Sequence, residues 1–299
     1  MLNNIKEEIN IDISNLTEID AGMSQETYML KSTSGKKYFL KYTTDYKNLK
    51  RMYTCHLYQT NFVPTSIRKP TLIESKFTNK YAYTIHSYHK GVNPTRYINN
   101  KSFILTIVNQ LGEIVRQLQD SNVDDKIKYK SDINKMVSDS LKYTKKSGYN
   151  NYIPIIQDAE EQLERSNYNQ VFSHRDLHLD NLLLNPEKGI KYVVDWEHCR
   201  WTHPMYDLAK IELRFIDKFD YIGNNDASNL RNKLRESYGI NDINYKDLYA
   251  IKLLHAYRTI GRIRVKNEAY NPWSQINSVE KIVNQYEQNI QNYADKFYE

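Results

Sequence analysis

Two segments near the start of the chain are short runs of apolar and aromatic residues bounded by polar ones, with no helical period. Thr27-Tyr28-Met29-Leu30-Lys31 and Lys37-Tyr38-Phe39-Leu40-Lys41-Tyr42 flank the turn Ser34-Gly35-Lys36. The pattern predicts a β-hairpin, preceded by a further short strand and Gly22. Leu49, Met52, Tyr53, His56 and Leu57 then recur at helical intervals over 45–60 and stop before Val63-Pro64, which predicts one helix. Residues 71–75 and 81–88 are again β-rich, and Lys90-Gly91-Val92-Asn93-Pro94 reads as a linker.

Beyond the linker the texture is helical. Phe103, Ile104, Ile107, Leu111, Ile114, Val115 and Leu118 share one face of a helix over roughly 101–120. Weaker patterns cover 133–145 and 154–165, and after residue 205 stripes run through Leu208, Ile211 and Phe215, then Leu248, Ile251, Leu254 and Tyr257, then Val279, Ile282, Val283 and Tyr286. Three short apolar pieces interrupt the helices, at 171–172, 182–184 and 192–197. The fold class expected is α+β in two lobes: a small β-rich N-lobe over 1–90 and a mainly helical C-lobe over 91–299.

Composition narrows the function classes. At 299 residues with 40% hydrophobic and 12% aromatic content, the chain can bury a sizeable core. Its formal charge of +6 comes from lysines scattered among acids, a solvating pattern and not a nucleic-acid footprint. The two cysteines, Cys55 and Cys199, are too few for a disulfide framework or a four-ligand zinc site. The start of the chain lacks a signal-like apolar stretch, and no apolar run approaches the roughly 18 residues that span a bilayer; no membrane contact and a cytoplasmic location are expected. Glycine number is the sharpest exclusion. The closest pair among the nine glycines, Gly22 and Gly35, is thirteen residues apart, so neither a G-x-G-x-x-G fingerprint nor a Walker A loop can exist.

The dense polar loop of the C-lobe carries the chemistry. His174-Arg175-Asp176-Leu177-His178-Leu179-Asp180-Asn181 reads H-x-D-x-x-x-x-N between apolar strands, and Asp195 follows Asn181 by fourteen residues in Tyr192-Val193-Val194-Asp195-Trp196-Glu197. Two loop histidines beside Asp180 could suggest zinc, but i, i+4 spacing brings ligands together on a helix, and this segment is a loop. The order and spacing resemble the catalytic core of protein-kinase-like phosphotransferases. That resemblance implies Asp176 as the residue that accepts the attacking hydroxyl's proton, Asn181 and Asp195 as Mg²⁺ ligands, and His174 as a structural anchor. If the strand continues past Asp195, Glu197 shares its face and can serve a second metal.

Together with Pro204-Met205-Tyr206-Asp207-Leu208-Ala209, these motifs resemble the aminoglycoside phosphotransferase and choline kinase family of small-molecule kinases. Asp-Trp-Glu stands where protein kinases have Asp-Phe-Gly, and no activation segment follows. The family likeness implies direct in-line transfer from ATP or GTP to a hydroxyl of a small molecule. It also implies a bracing role for Asp207, a phosphate-covering turn at Gly22 and Ser24, Lys41 on the α- and β-phosphates, and a hinge over 85–91, including Tyr88, whose backbone meets adenine. Family members normally pair the strand lysine with a helix glutamate, yet no glutamate occurs between Asp45 and Val63. Asp45, Glu74 or another residue must serve Lys41, or else the chain is a nucleotide-binding pseudokinase or regulator with weak turnover. For the acceptor, Trp201, Tyr206, Trp273 and Tyr257 are candidate cage members and Glu212, Glu280 and Glu287 candidate carboxylates for a cation. Arg258, Arg262 and Arg264 would suit an anion instead.

Overall fold

The computed structural model describes residues 9–19, 26–92, 97, 99–120, 133–216, 227–266 and 279–299. The chain divides into two compact units, one of Met1–Asn99 with Asp180–Cys199 and the other of Asn100–Leu179 with Arg200–Glu299.

The first unit holds a five-stranded antiparallel sheet of β1 (Ile13–Glu18), β2 (Glu26–Ser32), β3 (Lys37–Thr43), β4 (Leu72–Phe77) and β5 (Ala82–Ser87), in the order β1-β2-β3-β5-β4. Gly35 closes the β2–β3 turn with φ of 82°, a left-handed backbone that glycine adopts without strain. Alternation along each strand sends Tyr28, Leu30, Tyr38, Leu40, Tyr42, Tyr83 and Ile85 into one buried cluster. Register stacks Leu40 between Tyr28 and Ile85, and each such aliphatic side chain contributes about 1.5–3 kcal/mol by leaving water. Helix α1 (Tyr46–Phe62) lies between β3 and β4 in the chain and starts where Asp45 accepts the N–H of Lys47 at 2.7 Å.

Four short strands follow later: β6 (Val171–Ser173), β7 (Leu182–Asn185), β8 (Gly189–Val193) and β9 (Arg200–Thr202). The β7–β8 hairpin belongs to the first unit, whereas a division at residue 90 would group it with the helices. Val92 exchanges backbone hydrogen bonds with Leu184 at 3.1 and 3.3 Å, so the segment after β5 is stitched to β7. Gly91 makes that approach possible: a Cβ there would lie 2.6 Å from the Leu183 Cβ.

In the second unit β6 pairs with β9. The helices among the described residues are α2 (Lys101–Gln119), α3 (Ile133–Ser147), α4 (Ile153–Arg165), α5 (Tyr206–Ile211), α6 (Ala227–Tyr238), α7 (Tyr245–Lys266) and α8 (Val279–Tyr298). Leu248, Ile251, Leu253 and Leu254 of α7 are fully buried, and the helix packs against α3, α4, α5 and α8. After α5 the backbone widens into a π-helical turn, Glu212–Ile216. Glu212 is completely buried and accepts from Arg235 at 2.7 and 3.0 Å and from Lys252 at 2.9 Å. No helix among the described residues is long and apolar enough to cross a membrane.

Two local expectations change. The strand expected to run through Trp196 and Glu197 ends at Val193, and a 3-10 turn, Trp196–His198, replaces it. Arg200–Thr202 forms a strand that its three-residue length hides from periodicity.

Candidate functional site

Two clusters of charged side chains form around the motif residues, one in each unit. In the first, Lys41 sits near the end of β3, opposite Thr27 and Thr84, with one-fifth of its side chain exposed. Its ammonium donates to Asp195 Oδ1 and lies 3.5 Å from Glu197 Oε2. Burial alone would lower the Lys41 pKa, but the two carboxylates hold it above its ordinary value. Asp195 adopts a left-handed backbone, φ 62° and ψ 55°, which costs a non-glycine residue about 1–2 kcal/mol. The backbone reverses there, and Asp195 and Glu197 both reach Lys41 although no strand continues between them.

Glu197 also lies 3.7 Å from Arg51 Nη2 and 3.5 Å from His198 Nε2. The counter-ion of Lys41 therefore comes from the loop after β8, and α1 presents Arg51 to that loop. Asp45 caps α1, and Glu74 accepts from the Tyr83 hydroxyl at 2.6 Å and the Asn10 N–H at 3.1 Å. Asn181 is buried, and its backbone carbonyl accepts the N–H of Val194 at 2.9 Å, which fixes it beside the segment that leads into Asp195. Cys55 of α1 donates its thiol to the Glu197 carbonyl at 2.8 Å, and both cysteines are buried. Burial, aided by the Lys41 charge, pushes the His86 pKa down to about 4. Tyr88 follows β5 half-exposed, with its N–H on the Lys37 carbonyl at 3.4 Å and the Lys37 ammonium over its ring. Gly22 and Ser24 lie outside the described residues.

The second cluster is built on the loop after β6. Asp207, in the first turn of α5 and 2% exposed, accepts the backbone N–H groups of His174 at 2.8 Å and Arg175 at 2.7 Å. Arg175 takes φ of 66°, and the Asp176 N–H points to His174 Nδ1 at 3.3 Å. The Asp176 carboxylate is ringed by donors: Arg214 Nη1 at 3.1 Å and Lys210 Nζ at 3.4 Å on Oδ1, and His178 Nε2 at 3.4 Å on Oδ2. Burial would raise its pKa, but Lys210, His178 and Arg214 together hold it far below the usual carboxylate range. Lys210 itself is pushed down to about 7, by burial first and then by Arg214 and other neighbouring cations, with Asp176 offsetting part of the shift.

Several candidate acceptor residues are engaged otherwise. Trp201 is 2% exposed and packs on Phe172 with ring centroids 5.5 Å apart, which makes it core. Tyr206 is buried, with its hydroxyl 3.3 Å from Arg175 Nη2 and the guanidinium stacked over its ring. Tyr257 packs against Tyr152. Glu212 is consumed by Arg235 and Lys252, and Glu287 by Tyr149 and Arg264. Trp273 and the side chain of Glu280 lie outside the described residues. Among the described residues no three His, Cys, Asp or Glu side chains come together as a group that could hold a metal ion. Sequence reasoning missed Lys210 and Arg214. They stand three and seven residues after Asp207, a spacing that places all three on one helical face.

The sequence profile of the phosphotransferase enzyme family matches residues 15–243. The chain belongs to that family. It is an enzyme, a phosphotransferase. No curated protein matches this phosphotransferase by sequence. Solved structures do match it in fold. A spectinomycin phosphotransferase in complex with ADP and spectinomycin is 16% identical, with 99% of this chain and 96% of that chain covered and a TM-score of 0.62. Choline kinase from Streptococcus pneumoniae is 15% identical, with 99% of each chain covered and a TM-score of 0.64. The GDP complex of aminoglycoside 2′-phosphotransferase-IIIa is 12% identical, with 97% of each chain covered and a TM-score of 0.65.

Proposed function

We propose that this phosphotransferase moves the γ-phosphoryl group of ATP or GTP directly, in line, to a hydroxyl of a small molecule, with Asp176 as the proton acceptor. The observation that carries the reading is the state of Asp176. Its loop backbone is pinned by two hydrogen bonds to Asp207, and its carboxylate is kept ionised by three donors. Phosphoryl transfer needs little covalent help, so catalysis consists of positioning and of matching phosphate charge. An always-ionised carboxylate can orient an attacking hydroxyl at any physiological pH. Its proton-accepting strength matters late, when the new bond to phosphorus has formed.

Lys41 would contact the α- and β-phosphates, and Tyr88 would lie in the adenine-facing segment. Magnesium fits the donor types: Asn181 and Asp195 offer hard oxygen atoms, the Asn181 backbone carbonyl holds the N–H of Val194 next to Asp195, and Mg²⁺ takes its other ligands from water and phosphate. Bound there, the ion would neutralise phosphate charge. Glu197, already shared by Lys41 and Arg51, serves best as their counter-charge and as a ligand only if they release it. Amicoumacin kinase, 11% identical with a TM-score of 0.62, has been solved with AMP-PNP and Ca²⁺, which accords with nucleotide and divalent-cation use.

The test is ATP consumption by the purified full-length chain across a panel of hydroxyl acceptors, with Asp176→Asn in parallel. Loss of a positioned proton acceptor is expected to lower kcat by about 10²–10⁴. Equal consumption by the two proteins would refute the assignment of Asp176. An ATP-dependent thermal shift with no turnover of any acceptor would point instead to a nucleotide-binding regulator.

A further inference from the structure

Two cations meet the single carboxylate of Asp176, and two more stand near them. Lys210 and Arg214 share the one carboxylate, Arg175 lies against Tyr206, and Arg258 of α7 is 3.3 Å from Asp139 of α3. Arg175 and Arg258 act electrostatically on both Lys210 and His255, so the four cations form one group. His255 is 4% exposed, packs edge-on to Tyr206, and has no hydrogen-bond partner at Nε2. Burial and the same cations hold it neutral, so its free ring nitrogen can carry an N–H donor. Lys210 is only 9% exposed. A lysine so buried, among arginines, is rare unless an anion completes its surroundings.

We propose that the acceptor carries its own anionic oxygen group, a phosphate or a carboxylate, which Lys210 and Arg214 bind with Arg175, Arg258 and His255 around them. This rests on the kinase reading above and names the substrate class of that same site. The arginine side chains suit bidentate recognition of either group. Arg214 leaves 35% of its side chain exposed, so a ligand can reach it. The arrangement also selects by repulsion: a cationic amino alcohol or aminoglycoside would meet like charges, and the buried carboxylate Glu212 is already matched by Arg235 and Lys252. Once the anion draws Lys210 and Arg214 to itself, Asp176 loses part of what holds its proton affinity down. Acceptor binding would thereby strengthen the proton acceptor when it is needed.

The experiment compares matched hydroxyl compounds with the full-length chain, Mg²⁺ and ATP: glycerol, glycerol 3-phosphate, glycerate, choline, ethanolamine and kanamycin. Turnover of glycerol 3-phosphate or glycerate with kcat/KM at least tenfold above glycerol and the cationic compounds is expected, and the preferred one of the two tells phosphate from carboxylate. Arg258→Gln, which leaves Asp176 untouched, is expected to raise KM for the anionic acceptor about tenfold with little change in kcat. Arg214→Gln, more exposed and so more tolerant of substitution, is expected to raise KM and alter kcat. Preferential turnover of choline, ethanolamine or kanamycin would overturn the inference and leave the kinase reading standing. If none of the six is turned over, the kinase reading is left to its own wider acceptor panel, and calorimetric titration with glycerol 3-phosphate and glycerate decides this inference separately. Saturable binding that Arg258→Gln weakens tenfold supports it, and no saturable binding overturns it.

Discussion

Replacing Lys210 by methionine tests the electrostatic description of the site without any substrate. The lysine is 9% exposed, and its pKa moves from 10.5 down to about 7. It faces Asp176 and Arg175 from the loop after β6, Arg214 from the π-helical turn, and His255 and Arg258 from α7. Because the folded pKa lies below the unfolded one, charged Lys210 opposes folding. The opposition is complete below pH 7, where both states are protonated, and it fades as pH rises from about 7 to 10.5, where the folded protein sheds a proton that the unfolded chain keeps. A displacement of this size corresponds to about 5 kcal/mol. Lys210→Met preserves length and removes the charge, so the variant is expected to be the more stable protein at pH 6. The part that isolates Lys210 is the slope. Between pH 7 and 9.5 the wild type should gain about 3 kcal/mol on the variant, as measured by urea unfolding at matched ionic strength. Parallel stability profiles over that range would show that Lys210 titrates normally and would refute the crowding of cations deduced from the structure.

Glu212→Gln leaves the buried Arg235 and Lys252 without a counter-charge, and a loss of about 3–5 kcal/mol in urea unfolding is expected; a loss below about 1 kcal/mol would remove its structural role. Gly91→Ala places a Cβ 2.6 Å from Leu183 Cβ, and a loss of about 1–3 kcal/mol is expected from overpacking. Leu183→Ala in the same chain should recover part of it, and failure to recover would argue against close approach as the reason for glycine.

The β2–β3 hairpin was legible in the sequence because short runs rich in Tyr, Leu and Phe, bounded by polar residues, stand on either side of the Ser34-Gly35-Lys36 turn. The loop from His174 to Asn181 was legible because its residue types and spacing are set by chemistry and not by packing. Three features were not. The reversal at Asp195 depends on a left-handed backbone at a residue other than glycine, and no composition signal marks it. The counter-ion of Lys41 comes from 154 and 156 residues away in the chain, so a search confined to α1 could not meet it. Lys210 looks solvent-facing beside the stripe of Leu208, Ile211 and Phe215, yet all six residues of α5, Lys210 among them, are buried, and Arg214 follows in the π-helical turn. A helix enclosed on every side has no polar face to read, and the π-helical turn after it shifts the period that follows.

Arg175 and Asp195 are the two non-glycine residues with positive φ among the described residues, and they stand beside or at the two motif aspartates. Glycine at either place would relieve the backbone, yet this sequence holds only nine glycines in 299 residues and places none there. Laboratory selection for heat resistance alone would therefore favour glycine at 175 and 195, relaxing the chain at the points where its side chains meet Tyr206 and Lys41. A thermostable library built without a turnover screen would enrich inert proteins, and sequencing its survivors at these two codons would reveal how much stability the natural chain forgoes to keep its charges in position.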